Sequence, residues 1–263
     1  MPAVKRLTSA QNPLILRVRK AVSRGALTDD GLAIAESVHL LEEALRSDCA
    51  VPIVLASEPA VATVSRLVDG LKNTEVIGLP PDLFRQIAAT ESSQGVVALV
   101  RPPDWNMDQV LRGRKPLVVL LDGVQDPGNA GAILRAAEAF GASGAIFLKG
   151  SVSPYNPKCL RAAAGSAFRL PLLTGTEPDF ALAELKQKKV TLYAAMPRGG
   201  VDAQNVDLKT AVAILVGAEG RGVHQDLAAK ANPLRIRTIG VESLNVAVAT
   251  AVILYEASRQ RAE

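Results

Sequence analysis

A chain of 263 residues, 48% hydrophobic and 21% charged, has enough apolar side chains to bury a sizeable core, which excludes an intrinsically disordered protein. A net charge of +4 and an isoelectric point near 9.2 favour a polyanionic partner, while 3% aromatic residues disfavour a protein that stacks single-stranded bases on aromatic rings. No apolar run is long enough to cross a membrane and the first residues lack the apolar core of a signal peptide, so we expect a cytoplasmic protein with no membrane partner.

The first thirty residues are basic. Six cations precede the first acid, Asp29, and apolar residues at 14, 15 and 18 favour an amphipathic helix. The pattern fits a solvated helix face and an RNA-facing patch equally well.

From residue 32 onward short apolar runs alternate with helical periodicity. We predict strands at 32–35, 53–56, 75–79 and 96–100, and helices at 37–46, with Ser37 as the cap, at 59–71 and at 81–91. Together they form a small three-layer α/β domain, residues 1–101. A proline-bearing, polar and basic stretch, residues 102–115, then marks a linker.

The remainder, residues 116–263, continues the alternation and predicts a second α/β domain with a parallel sheet. Strands are expected at 117–121, 145–148, 170–173, 191–196, 211–216 and 233–239. Helices are expected from Asn129 onward and at 156–168, 179–189, 224–231 and 243–261. The last helix is apolar around most of its circumference, which indicates burial or an interface with a second copy.

Three loops follow apolar strands of the second domain, at residues 122–131, 217–222 and 240–245. Ligands of parallel sheets bind at the carboxyl ends of strands, so these loops are the expected site. Asn129 is a suitable N-cap for the helix after the first loop. Arg135 could reach over that loop, although a helix-surface pair with Glu138 explains it as well.

The sequence lacks the residue patterns of nicotinamide-binding, metal and Ser-His-Asp sites. A nicotinamide site is disfavoured because no loop has the G-x-G-x-x-G pattern. His39 and His224 are the only histidines, and neither adjoins a nucleophile elbow or a cysteine cluster, so we expect no metal site and no Ser-His-Asp triad. Cys49 and Cys159 lie far apart and predict buried or free thiols rather than a disulfide.

Three stretches resemble signature motifs of the SpoU family, which comprises RNA ribose 2′-O-methyltransferases within the knotted SPOUT superfamily. They are DPGNAGAILRAAEAFGA (126–142), ILVGAEGRGV (214–223) and ESLNVAVATAVILYEASRQR (242–261), in the family's order and spacing. The resemblance implies a SPOUT α/β domain with a deep trefoil knot. It also implies a small substrate-binding α/β domain before it, beginning LTSAQNPLILRVRK.

The same resemblance implies S-adenosylmethionine as cofactor, RNA as partner and a homodimer formed through the C-terminal domain. Cofactor-contacting positions would be Gly217, Ile236, Leu244 and the further lining residue Leu215. Catalytic polar positions would be Asn129, Arg135, Glu219, Ser243 and Asn245.

Some alternatives stay open at this stage. Members of the family commonly carry Ile-Pro-Met before the third motif, whereas residues 236–239 here are Ile-Arg-Thr-Ile. The wall of the expected cofactor pocket at Ile236 would therefore differ in shape from that of other members. Ribosomal RNA is favoured as substrate by the added N-terminal domain, with transfer RNA as the alternative. A non-catalytic RNA-binding or assembly factor with the same fold is the second alternative.

Overall fold

A computed structural model describes residues 4–90 and 92–262 and divides the chain into two compact units. The first unit combines Met1–Asp104 with Tyr155–Arg169, and the second combines Trp105–Pro154 with Leu170–Glu263. Within the described residues, strands and helices are numbered below in chain order.

The strands are β1 Val4–Arg6, β2 Ala33–Glu36, β3 Ile53–Ser57, β4 Glu75–Leu79, β5 Val96–Val100, β6 Leu117–Asp122, β7 Gly144–Leu148, β8 Leu172–Thr176, β9 Thr191–Ala195, β10 Val201–Asp202, β11 Val212–Gly217 and β12 Asn232–Arg235. The α-helices are α1 Pro13–Arg24, α2 Val38–Arg46, α3 Val61–Leu67, α4 Pro81–Arg85, α5 Met107–Val110, α6 Pro127–Ala139, α7 Pro157–Ala163, α8 Ser166–Arg169, α9 Pro178–Gln187, α10 Gln225–Ala228 and α11 Val246–Arg261. Two 3₁₀ turns cover Glu58–Ala60 and Ala203–Asn205.

The first unit is built on a five-stranded sheet in the order β1-β4-β3-β5-β2, in which β5 runs antiparallel to both of its neighbours. Apolar residues of α1 and the α4 region pack with one face of the central strands to form its core. The helices α2, α3 and α7 also pack against this sheet. The predicted α/β character of this region is therefore confirmed.

The basic start of the chain is largely ion-paired. Lys5 pairs with Glu75, Arg17 with Asp30 at 2.9 Å and Lys20 with Asp29 at 2.6 Å. These pairs favour the interpretation of the first thirty residues as a solvated helix face, since cations that are already neutralised contribute less to phosphate binding.

The second unit is built on a seven-stranded sheet in the order β10-β12-β9-β11-β6-β7-β8, and every described pairing in it is parallel. Its central strands β6 and β11 are buried along their whole length, as expected for a parallel sheet covered on both faces. α11 packs against both α6 and β11. This arrangement confirms the predicted parallel α/β domain, while the trefoil knot stays a prediction.

Several predicted element ends are wrong. The helix expected at 59–71 is confined to α3, because the stretch after it turns at Gly70, whose φ is +83°. The helix expected at 81–91 ends at Arg85, and Glu91 lies outside the described residues. The strand expected at 233–239 ends at Arg235, and the last helix starts at Val246 rather than at residue 243.

The single helix expected at 156–168 is instead two helices, α7 and α8. The helical conformation is interrupted between them at Ala164 and Gly165, whose φ values are +47° and +91°. A side chain at Gly165 would overlap Glu43, so only glycine fits this approach. The segment belongs to the first unit, to which Arg161 and Arg169 bind through the buried carboxylates of Glu36 and Glu43.

The predicted linker, residues 102–115, contains the short helix α5. Its N-terminus is closed by a capping box in which Asn106 and Gln109 bond each other's backbone N–H groups. Val110 is fully buried in the core of the second unit, and the stretch belongs to that unit from Trp105 onward.

Both cysteines are buried, and neither forms a disulfide within the described residues, as predicted. Burial raises the pKa of the Cys49 thiol to about 11. Among the described residues, no helix combines the length and the apolar character that crossing a membrane requires.

Candidate active site

The carboxyl ends of β6 and β11 lie side by side, since Asp122 and Gly217 are register partners. The first two loops therefore lie at the same edge of the sheet. The third follows β12, which is parallel to β9 as β9 is to β11, so it leaves the sheet at that edge as well. Asp122 is buried, and its Oδ2 accepts a hydrogen bond of 2.7 Å from the backbone N–H of His224. This carboxylate ties the end of the second loop to the first strand, a positioning role that the motif comparison did not reveal.

The first loop ends in a helix that begins earlier than predicted. The N-cap is Asp126, whose side chain accepts from the backbone N–H of Asn129 at 2.7 Å, and Pro127 occupies the first helical position. Asn129 as the N-cap is therefore wrong. Because a proline at the first position and an aspartate before it already satisfy the helix start, the amide of Asn129 is available for other contacts.

Asn129, Glu219 and Asn245 form a closed network of three hydrogen bonds. Glu219 Oε1 accepts from Asn129 Nδ2 at 2.9 Å and from Asn245 Nδ2 at 2.6 Å. Asn245 Nδ2 also donates to Asn129 Oδ1 at 3.0 Å. The network joins one side chain from each motif, across up to 116 positions of sequence.

Asn245 serves a second purpose at the start of α11. Its Oδ1 accepts from the backbone N–H groups of Ala247 at 2.9 Å and Val248 at 3.2 Å, which makes it the N-cap. A side-chain amide offers an acceptor for the cap and a donor for the network on two separate atoms. An aspartate would cap the helix but repel Glu219.

A cavity of about 320 Å³ opens beside this network. Its wall contains Glu219 and Ser243 from the motif loops, together with three predicted cofactor positions, Gly217, Ile236 and Leu244. Leu215 is not part of the wall, since it lies in the buried core of the unit. The wall also includes the end of β9 and the residues after it, Ala195, Met196 and Pro197, which no motif indicated.

The cavity fits a ligand with both apolar and polar parts. Its volume lies within the range of small-molecule sites, and aliphatic side chains line it beside the exposed Glu219 and Ser243. The departure from Ile-Pro-Met does not remove Ile236 from the wall. Thr238 also lines the cavity, and its hydroxyl donates to the carbonyl of Val241 at 2.9 Å, which closes the loop before the third motif.

Arg135 lies on the exposed face of α6 and is not part of the cavity wall. The structure thus brings together Asn129, Glu219 and Asn245, with Ser243 at the cavity, while Arg135 is exposed further along α6. An exposed cation there can meet a polyanion that approaches from outside the chain.

Comparisons with known proteins agree with this geometry. Residues 116–255 match the SpoU rRNA Methylase family. The chain is 32% identical to 23S rRNA (guanosine(2553)-2′-O)-methyltransferase RlmP of Bacillus subtilis (strain 168) over 254 residues, which is 96% of this chain and 98% of that protein. It is 38% identical to 23S rRNA (guanosine-2′-O-)-methyltransferase RlmB of Ralstonia nicotianae over 207 residues, 74% of this chain and 83% of that one.

A solved structure is similar over the whole chain. The SpoU methyltransferase AviRb from Streptomyces viridochromogenes, in complex with the cofactor AdoMet, has a TM-score of 0.87 and 26% sequence identity. The similarity covers 96% of this chain and 99% of that one. The predicted family and fold class are confirmed by these matches.

Gly217 offers a direct test of the cavity. A side chain there would overlap the backbone of Gly222 and Val223, so Gly217→Ala must displace the second loop. We expect S-adenosylmethionine binding, measured by calorimetry, to weaken by roughly tenfold or more, and the free energy of unfolding to fall by about 1–3 kcal/mol. Gly78→Ala is the matched control, since its new methyl group meets only ordinary contacts. Unchanged affinity in Gly217→Ala would contradict the placement of the cofactor.

Proposed function

Because this chain belongs to the SpoU rRNA Methylase family and is an RNA ribose 2′-O-methyltransferase that uses S-adenosylmethionine, we propose that the cavity holds this cofactor and that the adjoining network receives a ribose of ribosomal RNA. The observation that carries the proposal is the meeting of Asn129, Glu219 and Asn245 beside the cavity. A chain that had kept only the fold would have no need of three matched polar side chains there.

Cofactor binding is assigned to the cavity wall. Gly217, Ile236 and Leu244 contact the cofactor mainly through backbone and apolar atoms, with Leu215 supporting them from the core. When bound, the cofactor supplies an electrophilic sulfonium methyl group. The protein's own task is then to align the acceptor oxygen and to assist the loss of its proton.

Alignment of the ribose is assigned to the polar network. Asn129 and Asn245 are held in fixed orientation by Glu219, and Ser243 lies at the cavity on the third loop. Donors and acceptors held in this way hydrogen-bond the ribose hydroxyls without reorganising, which favours one approach of the 2′-oxygen.

Arg135 is assigned to the phosphate of the target nucleotide and to the charge that develops on the 2′-oxygen. A guanidinium is a poor general base, so we assign the proton of the 2′-hydroxyl to an RNA phosphate or to water rather than to Arg135. An exposed arginine that binds a phosphate bidentately also explains why it stands outside the cofactor cavity.

The substrate proposal follows the relatives. The names of the similar Bacillus and Ralstonia proteins specify guanosines of 23S rRNA, and this chain covers most of the length of both. We therefore favour ribosomal RNA over transfer RNA, and the cytoplasm as the place of action. The same proposal divides the chain into a substrate-binding domain (1–101), a linker (102–115) and a knotted methyltransferase domain (116–263). Within that division, the linker from Trp105 onward packs with the second unit, and Tyr155–Arg169 packs with the first.

A homodimer formed through the C-terminal unit completes the proposal. Along α11 the side chains of Val248, Val252 and Tyr255 are 50%, 40% and 57% exposed, although the helix packs against α6. Apolar side chains on one exposed helix face mark a contact surface. A second copy of the same face would cover them in a two-fold interface.

The function is tested by Arg135→Ala with tritiated S-adenosylmethionine and deproteinised ribosomal RNA. We expect the rate of methyl transfer to fall about a hundredfold or more, with cofactor affinity unchanged, because the guanidinium acts on RNA rather than on the cofactor. Arg135→Lys, which keeps the charge but not the planar fork, should retain part of the rate. Near-normal transfer by Arg135→Ala would end this assignment.

The dimer is tested by Val252→Glu in analytical ultracentrifugation. A buried charge without a partner destabilises an interface, so we expect the wild type to sediment as a dimer and the variant as a monomer. Phe180→Glu is the control, because Phe180 is a 53% exposed apolar residue on a different helix, α9. A monomeric wild type, or a variant that still dimerises, contradicts the proposed interface.

A further inference from the structure

The edge of the second sheet at which strands begin carries cations that the proposed site does not use. β6, β11 and β9 start in register, with Leu117 beside Val212 and Val212 beside Thr191. The segments before these strands therefore meet at one edge, and the end of α11 joins them. We call the basic residues of the segments before β6 and β9 the amino-edge cluster: Arg112, Arg114, Lys115, Lys186, Lys188 and Lys189.

Arg261 holds this edge together. Its guanidinium donates to the backbone carbonyls of Lys115 at 2.7 Å, Leu208 at 2.8 Å and Thr210 at 2.6 Å. These bonds fix the end of α11 to the segments that precede β6 and β11. The cluster is consequently built on rigid backbone rather than on a free loop, which lowers the entropy lost when it binds a ligand.

Most of the cluster is exposed, and part of it has no acidic partner. Residues 112–115 and 186–189 are exposed throughout. Lys188 pairs with Asp108 at 2.8 Å. In contrast, within residues 4–90 and 92–262 no ion pair is found for the other five members, Arg112, Arg114, Lys115, Lys186 and Lys189. These cations are free to neutralise phosphates, unlike the ion-paired cations at the start of the chain.

The surroundings of the cluster favour a phosphate backbone over a lipid surface. Membrane-surface helices combine basic residues with exposed apolar ones. None of the exposed large apolar side chains in the described part of the chain lies within residues 107–117 or 182–191, and the apolar neighbours Leu111 and Val190 are buried. A surface of charge without apolar anchors suits a polyanion that is bound by electrostatics alone.

We propose that the amino-edge cluster is a second RNA contact, which binds the phosphate backbone of the substrate away from the methylated nucleotide. The inference rests on the proposed function. β6 has six residues, so the cluster lies about 20 Å from the carboxyl edge and its loops. One nucleotide cannot reach both edges, so an RNA that contacts both must extend well beyond the methylated nucleotide.

The test is a triple variant, Arg112→Gln with Arg114→Gln and Lys115→Gln, assayed for binding to deproteinised 23S ribosomal RNA over a series of salt concentrations. We expect affinity at moderate salt to fall roughly tenfold or more, and the slope of log affinity against log salt to decrease by about two to three. S-adenosylmethionine affinity and kcat at saturating RNA should not change, while KM for RNA rises.

The charge-retaining variant, Arg112→Lys with Arg114→Lys, is the matched control and should bind RNA like the wild type, because a phosphate accepts either cation. Equal RNA affinity and equal salt slope in the triple variant and the wild type would overturn the inference. It would also be overturned if the triple variant lost binding to phosphatidylserine vesicles while its RNA binding stayed intact. A wild type that binds RNA through the cluster but transfers no methyl group would instead refute the proposed function and leave this contact standing.

Discussion

Two side-chain amides that are distant in sequence donate to the same carboxylate oxygen, and the candidate site depends on this shared acceptor. Glu219 Oε1 accepts hydrogen bonds from Asn129 and Asn245, which also bond each other. Hydrogen bonds to a charged acceptor are stronger than neutral ones, and a closed set of three restricts each member to one orientation. The three loops can hold this arrangement only if β6, β11 and α11 are placed correctly, so the network reports on the whole second unit.

Neighbouring residues cap the helix and secure the loop at the site, so the network side chains can hydrogen-bond one another. Asp126 caps α6, and Pro127 fills the position where a backbone N–H would lack a partner, so Asn129 is not needed as the cap. Asn245 caps α11 with its oxygen and enters the network with its nitrogen. Asp122 secures the loop that carries Glu219 by accepting from the backbone of His224. Helix capping and site construction are thus achieved by the same few side chains.

Apolar runs and glycine positions in the sequence predict the buried strands and the loops that follow them, because these features depend on residues that are close in sequence. The buried strands β6 and β11 read as uninterrupted apolar runs, and the glycine-bearing loops after them mark the carboxyl edge where the cavity lies. The family motifs added the three network residues. Asn129 was nevertheless misassigned as the N-cap, because an asparagine at a helix start satisfies the cap pattern regardless of which neighbour is better placed.

Features that depend on distant partners could not be predicted in this way. The break at Ala164 and Gly165 allows α7 and α8 to meet Glu36 and Glu43, which are more than a hundred residues away. Helical periodicity continues through that break, so it gave no sign of the segment's place in the first unit. Likewise, the end of β9 joins the cavity only because β9 is the neighbour of β11. Strand order is a property of the folded sheet rather than of any single stretch.

The central claim is that Asn129 and Asn245 act as one unit through Glu219, and a double-mutant cycle on kcat/KM for methyl transfer tests it most directly. Asn129→Ala removes one donor, and Asn245→Ser removes the other while keeping a side chain that caps α11. Because the two amides share an acceptor and bond each other, we predict a coupling free energy of about 0.5–3 kcal/mol, with the double variant losing less than the sum of the single variants. Effects that add to within about 0.5 kcal/mol, as for independent sites, would contradict the account.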